Sequence, residues 1–149
     1  FLAEKSNAYD LIILNDVFEH IPTDGAVDLL ACLKAALVPG GRLVLRVPNM
    51  ANLFASYSRY LDLTHVTGYT EYSLMQILDQ AGFCNHELVL PDWRPDWAHW
   101  RPWKPWRGLK LRRRLDYCLH SFLYWLRGYT KPRCFEHNVE VYTHKPEAS

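Results

Sequence analysis

YDLIILNDVFEHIP, residues 9–22, decides the fold. Its first half, Leu11 to Leu14, is a continuous apolar run of strand length, the pattern of a strand buried on both faces of a parallel sheet. Thr23 and Asp24 then offer N-cap oxygens to a helix over 26–37, in which Val27, Leu30, Ala31, Leu33 and Leu37 recur at helical spacing. Pro39-Gly40-Gly41 stops that helix, residues 42–47 read as a second strand, and Pro48 closes it. Further along, the sequence predicts a short helix over 73–81, with Leu74, Ile77 and Leu78 on one face and Gly82 at its end. A third strand follows at 87–90. The order β, α, β, loop, α, β predicts an α/β fold, a parallel sheet wrapped by helices on both sides.

Composition is consistent with one folded domain. The chain has 149 residues, 49% of them hydrophobic and 14% aromatic, enough to build a core. It contains no run of eighteen uncharged apolar residues, so no membrane-spanning segment is read from it, and its first residues lack the basic start of a secretory signal. Cys32, Cys84, Cys118 and Cys134 are far apart, form no CxxC pair, and give neither a zinc knuckle nor a disulfide framework. Reduced thiols make the cytoplasm the expected compartment.

The net charge of +1 conceals two parts of opposite sign. Residues 91–133 hold eleven Lys/Arg and three Asp/Glu, and the remainder holds six and thirteen. Within the basic part, PDWRPDWAHWRPWKPWRG places Trp93, Trp97, Trp100, Trp103 and Trp106 among prolines that forbid one continuous helix. Residues 107–129 then read as an amphipathic helix with Lys110, Arg112, Arg113 and Arg114 crowding its start, where the helix dipole disfavours cations. Four readings of this insert stay open: packing on its own domain, folding over the acceptor pocket with indoles stacked on substrate, contact with an anionic membrane surface, or contact with nucleic acid. The last lacks any RNA-binding signature. NVEVYTH, 138–144, alternates like a final strand.

Taken in order, YDLIILNDVFEHIP, LVPGGRLVLRVPN (37–49) and THVTGYTEYSLMQILDQAGF (64–83) resemble the second half of a class I S-adenosylmethionine (SAM) dependent methyltransferase. The resemblance covers about the first 90 residues and rests on order and spacing. It implies a Rossmann-like sheet over 1–90, an insert over 91–133, and a last antiparallel strand with its tail over 134–149. The first strand, glycine-rich turn and acidic residue that open such domains have no counterpart here, so the chain is expected to be the C-terminal part of a longer enzyme.

Ligands of open α/β sheets gather at the carboxyl ends of the strands. The resemblance therefore puts Asn15 and Asp16 beside SAM, and Asn49, Asp62, Thr64 and Tyr69 along the acceptor pocket. His20 and His65 are the candidate bases, because an imidazole titrates near neutrality. The ubiquinone-biosynthesis and small-RNA 3′-end O-methyltransferases hold a divalent metal with an E-x-x-E-H run. By that resemblance Asp16, Glu19, His20 and His65 become a candidate set for Mg²⁺, Mn²⁺ or Zn²⁺. Similar arrangements in bacterial surface-polysaccharide gene clusters imply a sugar hydroxyl on a glycan or glycolipid as acceptor. The alternatives are a quinone precursor or other small molecule, or a non-catalytic adaptor that uses the basic insert to bind membrane or a partner.

Overall fold

The computed structural model describes residues 5–92, 94, 98, 101–104 and 110–147. In chain order they form β1 (Tyr9–Asn15), a 3-10 turn (Phe18–His20), α1 (Thr23–Ala36), β2 (Leu37–Pro48), α2 (Ala55–Leu61), α3 (Glu71–Gln80), β3 (Cys84–Leu88), α4 (Leu111–Leu126) and β4 (Asn138–His144). Two compact units result, one holding residues up to Val89 and from Glu136 on, the other Leu90–Phe135. Trp93, Trp97, Trp100 and Trp106, and the expected helix start at 107–109, lie outside the described residues.

The sheet runs β1-β2-β4-β3. β1 pairs with β2 in parallel, Ile13 opposite Val44, and β4 lies antiparallel between β2 and β3, with Val141 opposite both Leu45 and Leu88. The chain leaves β3, runs through the insert and comes back as β4, which enters the sheet between β2 and β3. Between Tyr9↔Leu37 and Leu11↔Arg42 the register slips. Pro39-Gly40-Gly41 falls in that bulge, with Gly40 at φ +73, so these residues bend β2 after α1 has already ended at Ala36.

Period-two alternation places the core. Leu43, Leu45 and Val47 of β2 and Val139 and Val141 of β4 are fully buried against Leu30 and Leu33 of α1 and Leu74 and Leu78 of α3. Both helices cover the same face. The opposite face carries Leu11, Ile13, Arg42, Val44 and Arg46 along a groove of about 350 Å³. This corrects the expectation that β1 is buried on both sides: Leu11 is 49% and Ile13 55% exposed. An apolar run reports only a strand's capacity for burial, and each face still needs its own cover.

Two caps differ from the sequence reading. Pro22 occupies the N-cap of α1, which has no side-chain cap, so Thr23 and Asp24 lie inside the first turn. α3 begins two residues early because Thr70 forms a capping box with Ser73, whose N–H reaches Thr70 Oγ1 at 3.3 Å. The far end of α3 is closed by Gly82 at φ +76 and by Lys34, whose Nζ donates to Ala81 O at 2.5 Å. A Cβ on Gly82 would lie 2.5 Å from that Nζ. Gly82→Ala is therefore expected to cost about 1–2 kcal/mol through left-handed strain alone. An unchanged urea midpoint would rule this out.

Candidate active site

Asp16 follows β1 with φ +52, a left-handed residue that turns the chain off the sheet edge. The backbone then winds into the 3-10 turn. Phe18 anchors it, fully buried and stacked on Tyr69 with ring centroids 5.2 Å apart. The loop after α2 folds against this turn. Val66 and Thr67 both donate their backbone N–H to Glu19 O at 3.0 Å, and Thr67 Oγ1 donates to Ile21 O at 2.8 Å. Docking the loop sets His65 beside His20, their rings 4.8 Å apart and edge to face.

Hydrogen bonds fix how each imidazole is presented. His65 Nδ1 lies 3.0 Å from Ser58 O, a carbonyl that can only accept, so Nδ1 carries a proton. Asp62 Oδ1 accepts from both Thr64 N at 2.8 Å and Thr64 Oγ1 at 2.7 Å. These bonds hold the Asp62 carboxyl below its ordinary range. With its one hydroxyl proton given to Asp62, Thr64 Oγ1 accepts from His20 Nδ1 at 2.8 Å. Both rings in their neutral form thus hold the lone pair on Nε2, the arrangement of a base or a metal ligand.

Beside them lies an unusual carboxyl. Glu19 is 2% exposed, and neither of its side-chain oxygens has a hydrogen-bond partner. Its Oε1 stands 3.8 Å from His65 Nε2. Burial raises the Glu19 pKa above its ordinary value, and nearby Asp16 adds to this. Hydrogen bonding at its own backbone, His20 and His65 pull the other way. One ligand atom from each of Glu19, His20 and His65 can be chosen so that all lie within 4.8 Å of one another.

The remaining candidates occupy other positions. Asn15 and Asp16 sit exposed at the carboxyl end of β1, but Asp16 is ion-paired with Arg46 of the neighbouring strand and lies outside the three-residue cluster. Asn49 is 1% exposed; its Nδ2 donates to Glu136 O at 3.1 Å and its Oδ1 accepts from Ala51 N at 3.0 Å, so it ties the end of β2 together. Tyr69 is likewise buried, and that burial raises its phenol. The sequence reading passed over α2, which presents Phe54, Tyr57 and Tyr60 as exposed rings just ahead of Asp62, Thr64 and His65. The aromatic spacing in FASYSRYLDL was the signal available for them.

Residues 1–88 match the family model of a methyltransferase domain. Similar solved structures include a SAM-dependent methyltransferase from Archaeoglobus fulgidus, 16% identical with a TM-score of 0.62, the match covering 97% of this chain and 63% of that one. A SAM-dependent methyltransferase from Thermotoga maritima is 12% identical with a TM-score of 0.59, covering 95% and 57%. The 1,6-didemethyltoxoflavin-N1-methyltransferase of Burkholderia thailandensis, solved with 1,6-didemethyltoxoflavin and S-adenosylhomocysteine, is 17% identical with a TM-score of 0.52, covering 98% and 48%. The chain therefore spans less than two thirds of the length of each of these proteins. No curated protein matches it in sequence.

Proposed function

This chain belongs to the methyltransferase domain family, and on that premise we propose that the protein moves a methyl group from SAM to a hydroxyl oxygen, on a sugar of a glycan or glycolipid. The observation that carries the proposal is the pair of imidazoles with anchored Nδ1 atoms, of which His65 turns its Nε2 to the buried Glu19 at 3.8 Å.

SAM supplies an electrophilic methyl on a sulfonium. The residues present fit one edge of it: Asn15 offers an exposed carboxamide, and Asp16, whose Oδ2 pairs with Arg46, keeps its other carboxylate oxygen for an ammonium group, both at a strand end. A hydroxyl is a weak nucleophile until its proton leaves, and His65 Nε2 is placed to take that proton. The imidazolium so formed is stabilised by Glu19 at 3.8 Å. Holding the acceptor in line with the methyl carbon is the other large contribution, and the exposed rings of α2 provide faces on which a sugar stacks. Asp62 and Thr64 act one step back, setting the His20 tautomer.

A second reading rests on the same three side chains. A buried carboxylate without hydrogen-bond partners, with one ring nitrogen of each of two imidazoles inside the same 4.8 Å cluster, fits a divalent cation. Two imidazoles and one carboxylate suit Zn²⁺ or Mn²⁺ better than Mg²⁺, which prefers oxygen ligands. Such an ion would polarise the acceptor oxygen and lower its pKa.

The test uses the full-length protein with methyl-labelled SAM and a panel of nucleotide sugars, lipid-linked sugars and catechols. Label in a sugar methyl ether supports the proposal, and label only in catechols removes the sugar acceptor. If calorimetry shows no binding of S-adenosylhomocysteine, the enzyme reading fails. Activity that survives exhaustive chelation retires the metal and leaves the base.

A further inference from the structure

α4 has its faces reversed relative to a helix packed in a water-soluble domain. Tyr117, His120 and Tyr124 meet the ring of Phe135 at 5.4, 4.9 and 5.3 Å, and His120 is fully buried, with Nδ1 donating to Asp116 O at 2.8 Å. That side is therefore already occupied by protein. Leu111, Leu115, Leu119, Phe122, Trp125 and Leu126 recur three and four apart on the other side, and each is between 45% and 73% exposed. Ordinarily the leucine stripe is the part that packs. A continuous exposed stripe of this kind marks a surface with a partner.

Charge identifies the partner. Lys110, Arg112, Arg113 and Arg114 stand at the start of α4 and Arg127 just past its end, whereas Asp116 is its only acidic residue. At 100° per residue, Arg112 and Arg114 flank the stripe, while Asp116 falls toward the packed side. The first turn contains no acidic residue, although the positive end of the helix dipole would favour one. An apolar stripe edged by guanidinium groups complements acyl chains beneath anionic head groups. Trp125 and Tyr129, both largely exposed, add rings of the kind that settle at head-group depth. At sixteen residues the helix is about 24 Å long, and no described helix is long and apolar enough to cross a membrane. Such a helix therefore lies along the surface. A second copy of the chain fits less well, because both ends of the stripe are basic and like charges would meet in either direction.

We infer that α4 docks this protein on an anionic lipid bilayer. The inference does not rest on the methyl-transfer reading.

It is tested by flotation of the full-length protein with vesicles of phosphatidylcholine alone, and of phosphatidylcholine with phosphatidylglycerol. Binding is expected to the anionic vesicles only, and to weaken at least about tenfold when salt is raised from low to near-molar concentration. Phe122→Glu and Leu119→Glu, both at exposed positions, should abolish it. Arg112→Gln should weaken it on anionic vesicles, and circular dichroism should report unchanged helix content in all three. Transfer to a soluble acceptor should be unaffected, which separates this inference from the catalytic one. Absence of binding, or binding indifferent to lipid charge and to Phe122→Glu, overturns the inference. So does a concentration-dependent dimer that Phe122→Glu dissociates without any vesicle binding, which would assign the stripe to a second copy.

Discussion

His65→Ala is expected to lower kcat for methyl transfer by roughly 10²- to 10⁴-fold, the usual contribution of a positioned general base. The affinity for S-adenosylhomocysteine should change little, because Asn15 and Asp16, the proposed cofactor neighbours, belong to β1 and its exit and not to the His65 loop. The prediction rests on three constraints acting on one ring. Ser58 O accepts a hydrogen bond from Nδ1–H, Glu19 faces Nε2, and the docked loop holds the backbone through Val66 and Thr67. His20→Ala should cost less. Its Nδ1 is similarly held, but its partners Thr64 and Asp62 are exposed, so water can replace part of what it does. Melting temperatures of both variants should stay near that of the parent, since neither ring belongs to the buried cluster under the sheet. A His65→Ala enzyme with unaltered kcat would remove His65 from the chemistry, and a large rise in KM alone would make it a binding residue.

The order of elements could be read from the sequence because period and punctuation agree in it. The last strand was legible from end to end in NVEVYTH, where buried Val139, Val141 and Thr143 alternate with more exposed neighbours. α2 was not, because Phe54, Tyr57, Tyr60 and Leu61, though three and four apart, form a stripe that faces outward and has no core to mark it. The exposed face of β1 also could not be read, since a run of Leu and Ile says nothing of which layers are present to cover it. Within the site, Glu19 and His20 could be picked out from their place just after β1, but the 3-10 turn begins only at Phe18, and Asp16, with its left-handed φ of +52, stands outside it. The engagement of Asp16 with Arg46 was hidden: it depends on the register that sets Asn15 opposite Arg46. The imidazole tautomers were equally invisible, because they are decided by a carbonyl of α2 and a loop hydroxyl.

Glu19→Gln separates a structural carboxyl from a functional one by the signs of its two effects. In chelator-treated protein the Glu19 carboxyl has a folded-state pKa raised above 4.5, chiefly by burial. Between those values the folded state binds more protons than the unfolded state, so stability falls as pH rises through the window and stays lower above it. Glutamine carries no charge to bury. The variant should therefore be more stable than the parent at pH 8 by roughly 1–3 kcal/mol, the mutational range for burying a polar group without partners, and the difference should vanish near pH 4. Catalysis should move oppositely. A full negative charge 3.8 Å from the imidazolium of His65 contributes about 4 kcal/mol at an effective dielectric constant of about 20, so its loss should lower kcat by up to about 10³-fold. Gain in one property with loss in the other is the behaviour of a group kept for function at the expense of stability. Urea titrations at the two pH values, together with kcat, decide the matter. A Glu19→Gln variant that is destabilised and turns over undiminished would make Glu19 a structural residue and take the charge out of the mechanism.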